Sequence, residues 1–309
     1  MSDELHGDPR SGAPAIEASF LEHGFVCPPE VATALYLSEA LGKPLLLEGP
    51  PGVGKTEIAK LWAAHHAVSL VRLQCYEGID EAKALYEWSY GKQMLYAQLL
   101  RERVGAEIER AADLAGAMAI LRGHGDLFFS RDFLLPRPLL TAVLASERVV
   151  LLIDEVDRSD EEFEAFLLEV LSDQQVSIPE LGTLRAAHPP RVVLTSNDTR
   201  ELSDALRRRC LYVHIDYPTL EQERKILEAR VPGLGAALSE RVVRFVHSLR
   251  RAELRKPPGT AEVLDWARAL VLLHADGLST SVLRRTLGLL VKNRDDLERV
   301  LADARRHRT

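Results

Sequence analysis

The sequence is short of cysteine, of positive charge and of long apolar runs, and each shortage excludes a class of protein. Its 309 residues include three cysteines, Cys27, Cys75 and Cys210. They are far apart and match no metal-ligand spacing, so neither a disulfide framework nor a zinc module is expected. Two of them stand in or beside apolar, strand-like runs and read as buried thiols, which fits a reducing cytoplasm. No apolar run approaches the roughly 20 residues of a membrane span. The first residues are polar and acidic, unlike a secretory leader. Lys and Arg number 39 against 46 Asp and Glu, a net charge of −7. That balance argues against a strongly nucleic-acid-binding surface, while leaving room for a local basic groove. No internal repeat is visible, and the Asn-Lys-x-Asp tetrad that reads guanine is absent, which favours adenine.

What the chain does contain is organised around residues 45–56, LLLEGPPGVGKT. Three leucines and Glu48 read as a short buried strand. Gly49 to Thr56 fits G-x-x-x-x-G-K-[ST], the phosphate-binding loop. Gly52 and Gly54 let the backbone turn tightly and approach a phosphate chain that a side chain would block. The inward N–H groups make an anion-binding nest. Lys55 supplies a compact positive charge, Thr56 a hydroxyl for Mg²⁺, and the following helix points its positive N-terminus at the same phosphates. Gly49, Pro50, Pro51, Gly52, Val53, Gly54, Lys55, Thr56 and Glu57 are therefore the expected nucleotide-binding residues.

The rest of the chain supplies an α/β framework. Residues 1–18, rich in Gly, Pro, Ser and charge, read as a flexible tail. Residues 19–218 read as a nucleotide-binding domain with a helical insert at about 78–140. Strands are expected at 45–48, 68–74, 149–153, 192–195 and 211–215. Apolar strands alternating with helices predict a parallel five-stranded sheet flanked by helices. Ser159 and Glu162 suggest a capping box ahead of a helix whose Phe163, Phe166, Leu167, Val170 and Leu171 share one face. Val176 to Leu184 reads as a hairpin. After Pro218 no strand appears: Thr219 with Gln222 opens a run of helices over 219–309, with Ser239, Thr260 and Ser279 as expected N-caps.

Hydrolysis of a bound nucleotide needs a second metal contact, a group to activate water, and positive charge for the transition state. Asp154 ends the third apolar strand, on the edge where ligands bind in parallel sheets, and can reach Mg²⁺ through water. Glu155 follows it and can polarise the attacking water as general base. Asp157 reads as structural. Asn197 ends the fourth strand and can orient water or touch the terminal phosphate. Arg207, Arg208 and Arg209 precede the fifth strand, and one of them aimed at a neighbour's terminal phosphate would require an oligomer.

Taken together, GPPGVGKT (49–56), VVLLIDE (149–155), VVLTSN (192–197) and ALRRRC (205–210) resemble an AAA+ ATPase. The resemblance implies Walker A, Walker B, sensor 1 and arginine-finger roles in that order, with Arg209 in the finger position and Lys55, Glu155 and Asn197 catalytic. QVSIPELGTLRAAHPPRVVLTSN and the insert ending DFLLPRPLL are similar to the MoxR group. LQCYEGID, ALYEW, LYVHIDYP and KPPGTAEVLDWARAL look like its carbon-monoxide-dehydrogenase-maturation branch. The likeness implies a C-terminal helical lid, a hexameric ring with ATP and Mg²⁺ at subunit boundaries, and a cytoplasmic chaperone. Such a chaperone acts with a von Willebrand factor A domain protein on a metalloenzyme client. The sensor 2 arginine of the lid has no clear match, with Arg255 and Arg268 as the nearest options. Gln74 is placed to hold Glu155 until a partner binds. A nucleic-acid motor is the competing reading, opposed by the acidic charge and by a hairpin in which Arg185 is the one basic residue. A scaffold without turnover is opposed by intact Asp154 and Glu155.

Overall fold

The structure, a computed structural model, describes residues 12–252 and 254–306. Helices α1 (Ala13–Glu22) and α2 (Pro29–Leu41) precede strand β1 (Leu45–Glu48), then α3 (Lys55–His65) and β2 (Leu70–Gln74). The insert holds α4 (Glu81–Ala84), β3 (Tyr86–Trp88), α5 (Tyr90–Glu109), α6 (Leu114–Phe128), β4 (Leu134–Pro136) and α7 (Pro138–Val143). There follow β5 (Val150–Asp154), α8 (Glu161–Asp173), β6 (Gln175–Ile178), β7 (Gly182–Arg185), β8 (Arg191–Ser196), α9 (Asp204–Arg209) and β9 (Leu211–His214). Five helices close the chain: α10 (Leu220–Arg230), α11 (Ala236–Arg251), α12 (Thr260–Leu272), α13 (Thr280–Leu290) and α14 (Arg294–Arg306).

The main sheet has five strands in the order β2-β5-β8-β1-β9. The described pairings are parallel, with Leu45 opposite Leu211, Leu70 opposite Val150 and Val150 opposite Arg191. Parallel neighbours need crossover connections, and α3 and α8 stand between successive strands in the chain. Every residue of β1 and β5 is buried. That explains their lack of polar alternation, since a strand covered on both faces has no solvent side to encode.

Two compact units emerge from the contacts. One comprises the described chain up to Ala67, Thr195–Thr199 and the chain from Leu211 onward; the other comprises Val68–Leu194 and Arg200–Cys210. The first unit contains the phosphate loop and the C-terminal helices, which form the lid expected of this fold. The lid helices have their own apolar core, with Leu227, Val242, Val246, Trp266, Leu270 and Leu287 fully buried. The Trp266 indole N–H donates to the Thr286 hydroxyl at 2.9 Å, so the largest core side chain hides no unsatisfied donor. Arg250 is buried and donates two hydrogen bonds to Glu223, at 2.6 and 3.0 Å, while its guanidinium lies 4.5 Å from the Tyr217 ring centre. A paired and stacked buried arginine meets the condition under which a buried charge is tolerated.

Several local expectations change. Residues 13–18 are helical rather than tail: Pro14 fits the first turn of α1, and Ile16 and Phe20, one turn apart, are buried. Residues 1–11 of the expected tail lie outside the described residues. The insert is not purely helical, because β3 pairs antiparallel with β4, Trp88 opposite Leu134. The cap of α8 is Asp160, whose carboxylate accepts from the Phe163 amide at 2.8 Å, while the Ser159 hydroxyl donates back to Val156. Gly235 and Gly259, not Ser239 and Thr260, cap α11 and α12, whereas Ser279 caps α13 as expected. The Thr219–Gln222 capping box is present in full.

Candidate functional site

In the first unit the loop between β1 and α3 is shaped by its glycines. Gly49 has φ +151°, and a Cβ there would lie 1.9 Å from the Ile215 carbonyl oxygen. Gly52 has φ +80°, and its Cβ would meet the Gly259 backbone at 3.0 Å. Both positions demand glycine, on conformation and on space. Lys55 opens α3 and is 6% exposed. Its ammonium donates to the Gly49 and Pro50 carbonyls, at 2.6 and 2.9 Å, and to Asn197 Oδ1 at 2.9 Å. The structure thus brings Lys55 and Asn197, 142 positions apart, into direct contact, and the three acceptors are neutral. Thr56 follows on the first turn of α3, half-buried, and Val53 is buried. Glu57, in the first turn of α3, turns its carboxylate to Lys60, 3.2 Å away.

The lid contributes to this loop in a way the sequence did not indicate. The Thr260 amide, at the start of α12, donates to the Gly52 carbonyl at 2.9 Å. Glu262 Oε2 lies within 3.5 Å of where a Gly52 Cβ would sit. The lid side chain nearest Gly52 is thus acidic. Arg255 and Arg268 are exposed and pair with Asp295 and Asp265, at 3.2 and 3.1 Å.

In the second unit the end of β5 concentrates negative charge. Asp154 is almost fully buried and accepts from Arg72 Nη2 at 2.6 Å. The same nitrogen donates to Gln74 Oε1 at 2.5 Å. The Gln74 amide nitrogen goes to the Cys75 carbonyl, so the two hydrogen bonds of Gln74 do not engage Glu155. Glu155 has left-handed backbone, φ 56° and ψ 49°, unusual for a residue with a side chain and a form of strain that clusters at functional sites. Its carboxylate lies 3.3 Å from Arg158 Nε. Asp157 is buried in the same turn. Cys75, whose amide donates to the Asp154 carbonyl at 2.8 Å, senses this charge. Burial, then Asp154, Asp157 and Glu155, push its thiol up to about 12. Among the described residues no group of three or more His, Cys, Asp or Glu is set to hold a metal alone. One buried carboxylate nevertheless suits Mg²⁺, which keeps waters and is held largely by substrate phosphates.

The arginines before β9 differ from one another. Arg208 is exposed and faces Asp204 at 3.9 Å, and Arg207 is half-buried. Arg209, also exposed, donates to the Ser172 hydroxyl at 2.5 Å and to the Ala205 carbonyl at 3.4 Å, both neutral. Arg200, not singled out from the sequence, forms an ion pair with the fully buried Glu164 and donates to the Ser159 carbonyl at 2.8 Å. Glu164 also accepts from the Ser203 amide at 2.8 Å, which fixes the segment leading into α9. Arg72 and Arg200 carried no sequence signal, and Thr260 only that of an N-cap, because each acts through a partner distant along the chain.

No curated protein matches the chain. Among solved structures, the Holliday junction branch migration motor RuvB of Thermotoga maritima is similar at 16% identity, covering 84% of this chain and 67% of that one, with a TM-score of 0.47. A point mutant of RuvB from the same organism is similar at 17% identity, covering 89% and 73%, with a TM-score of 0.50. At such identities the likeness concerns the fold. A family described as AAA domain (dynein-related subfamily) matches residues 44–210, from the residue before β1 to the last residue before β9. That span is more than half of the chain, and the chain belongs to this AAA family.

Proposed function

We propose that the protein is an ATP-hydrolysing, MoxR-type AAA+ chaperone that remodels a protein partner, in the service of metalloenzyme maturation or cofactor insertion. The observation that carries the catalytic part is the buried Lys55 ammonium oriented by two carbonyls and Asn197 inside a glycine-shaped loop. These three acceptors aim the ammonium into the loop where the outer phosphates of ATP would lie. Backbone amides of Gly52 to Thr56 and the start of α3 hold the phosphate chain. Thr56 and Asp154 would hold Mg²⁺, which when bound neutralises charge on the phosphates. Glu155 takes the proton from the attacking water, and Asn197 keeps Lys55 and the water in line. Arg209 reaches the terminal phosphate bound by a neighbouring subunit, which makes the working form a ring, a hexamer on the family likeness. The nucleotide-binding domain ends near residue 218 and the lid begins near 219.

Support for a protein partner comes from the insert. Helix α5 has no buried residue along its 20 positions, and Tyr90, Met94, Leu95 and Leu99 are exposed. An apolar surface of this kind is costly in a subunit that meets nothing. The acidic balance opposes a nucleic-acid track. A von Willebrand factor A domain protein and a metalloenzyme client complete the reading, and it is a cytoplasmic one. None of the described helices is long and apolar enough to cross a membrane.

The test is turnover of Mg·ATP by the purified chain, alone, with duplex DNA across a salt series, and with the Glu155→Gln variant. Hydrolysis by the wild type, ATP bound but intact in Glu155→Gln, and no stimulation by DNA are expected. Turnover that survives in Glu155→Gln overturns the base assignment. Stimulation by DNA that falls steeply with salt overturns the protein-remodelling reading in favour of a nucleic-acid motor.

A further inference from the structure

We infer that Arg72 is a built-in counter-cation for Asp154, a positioning residue from which Mg²⁺ must win the carboxylate before Mg·ATP can dock. The inference rests on the reading of Asp154 as a metal ligand and deepens it.

The geometry begins with strand register. Strands β2 and β5 run parallel, with Arg72 opposite Leu152 and Gln74 opposite Asp154. Side chains alternate along a strand, so Arg72 and Gln74 share one face of β2 while Leu73, between them, is buried on the other. Registered residues of neighbouring strands share a face, which sets Asp154 beside Gln74 and within reach of a long side chain starting two residues earlier. Arg72 spans that step. One terminal nitrogen, Nη2, donates to Asp154 Oδ2 at 2.6 Å and to Gln74 Oε1 at 2.5 Å. The amide of Gln74 therefore aims the guanidinium, and its own nitrogen is fixed on the Cys75 carbonyl at 3.3 Å.

The two partners differ sharply in exposure. The Asp154 side chain is 3% exposed and that of Arg72 is 48% exposed. A buried carboxylate left without a counter-charge is expensive, the more so beside Glu155 and Asp157. A half-solvated guanidinium, by contrast, regains water cheaply when it leaves. The pair is thus asymmetric in the sense an exchange requires: one member must always be neutralised, and the other can go. Arg158 lies beside Glu155, whose carboxylate is itself 34% exposed, so that pair lacks the same contrast.

Two cations drawn to the same carboxylate repel one another at close range. If Asp154 holds the metal, Arg72 and Mg²⁺ compete, and competition is reciprocal. Arg72 raises the Mg²⁺ concentration needed for nucleotide binding and protects the fold when the metal is scarce.

The experiment titrates buffered Mg²⁺ against binding of a fluorescent ATP analogue, read by anisotropy, and records melting with and without metal. The proteins are the wild type and Arg72→Met, which keeps most of the stem and removes the charge. The variant is expected to reach half-binding at about a tenth of the wild-type Mg²⁺ concentration. It should also melt earlier than wild type in chelator and recover most of that loss in Mg·ATP. An unchanged or raised Mg²⁺ midpoint in a folded variant overturns the inference. So does an equal loss of nucleotide affinity with and without metal, which would make Arg72 a phosphate ligand. Should Arg72→Met not fold, Gln74→Leu removes the group that aims the guanidinium. It should lower the midpoint in the same direction by less, and an unchanged midpoint there is equally fatal. A wild-type protein whose nucleotide binding ignores Mg²⁺ overturns the metal reading of Asp154 itself, an outcome distinct from failure at Arg72.

Discussion

The phosphate loop and the end of β5 solve opposite problems with charge. In the loop, Lys55 is a cation oriented by carbonyls and an amide. At the end of β5, Asp154 and Glu155 are anions standing against guanidiniums. Neutral acceptors fix geometry and leave the charge to act; ionic partners fix geometry by consuming it. The contrast sorts the arginines as well. Arg72 and Arg158 face carboxylates, whereas Arg209 donates to a hydroxyl and a carbonyl, as Lys55 donates to neutral oxygens. That criterion is in keeping with the arginine-finger role proposed for Arg209.

Four experiments would break or sharpen that contrast. The largest effect is expected at Arg209: its replacement by Ala should lower turnover by about 10³-fold or more if it completes a neighbour's site. Mixing Arg209→Ala with Lys55→Ala subunits should restore part of the activity, because one supplies the pocket and the other the arginine. No rescue at any ratio would remove Arg209 from the phosphate-facing class. Next, Glu155→Gln should cost about 10²–10⁴ in turnover, measured as phosphate release, with ATP affinity by anisotropy nearly unchanged. Third, Asn197→Asp puts a carboxylate against Lys55 in place of a neutral amide. ATP affinity should fall about tenfold, against a smaller loss in Asn197→Ala; the reverse order would show that neutrality of the acceptor is unimportant.

The smallest effect concerns pH. The thiols of Cys27, Cys75 and Cys210 are each pushed from 9.0 up to about 12, chiefly by burial. A raised folded-state value means that stability is intact below about 9, where both states hold the proton. It is lost progressively as pH rises toward about 12, because the unfolded chain releases its thiol protons first. The urea midpoint should therefore fall over that window, and alkylation of Cys75, followed by mass spectrometry, should lag far behind that of the unfolded chain. Asp154→Asn removes part of the surrounding negative charge and should speed the reaction. Equal rates in the two proteins would mean that Cys75 does not sense the charge at the end of β5.

The sequence made the fold legible where the physics is local. A phosphate loop needs glycines at fixed offsets, and a doubly covered strand must be apolar throughout, so 45–56 and 149–154 announced themselves. The hairpin and the Thr219–Gln222 box were readable for the same reason. Contacts set by tertiary register were not. Arg72 reads as one polar residue in an alternating strand, and nothing local says that its head meets Asp154, 82 positions away. The left-handed Glu155 is equally silent, since a glutamate carries no mark of the φ it adopts. Helix α1 is hidden in the sequence because Gly, Pro, Ser and charged residues make up most of residues 1–18, while its buried face rests on Ile16 and Phe20 alone.

The link between the Thr260 amide and the Gly52 carbonyl joins main chain to main chain, so almost any replacement of Thr260 leaves its donor in place, whereas Gly52 is held to glycine by its own backbone. Proline alone lacks the donor, and position 260 opens a helix, where proline is accepted without distortion. At its lid end the tie between lid and loop is thereby sheltered from nearly all of the genetic code. Random mutagenesis will pass over it, and only a deliberate Thr260→Pro will reveal what is felt at one end when the other moves.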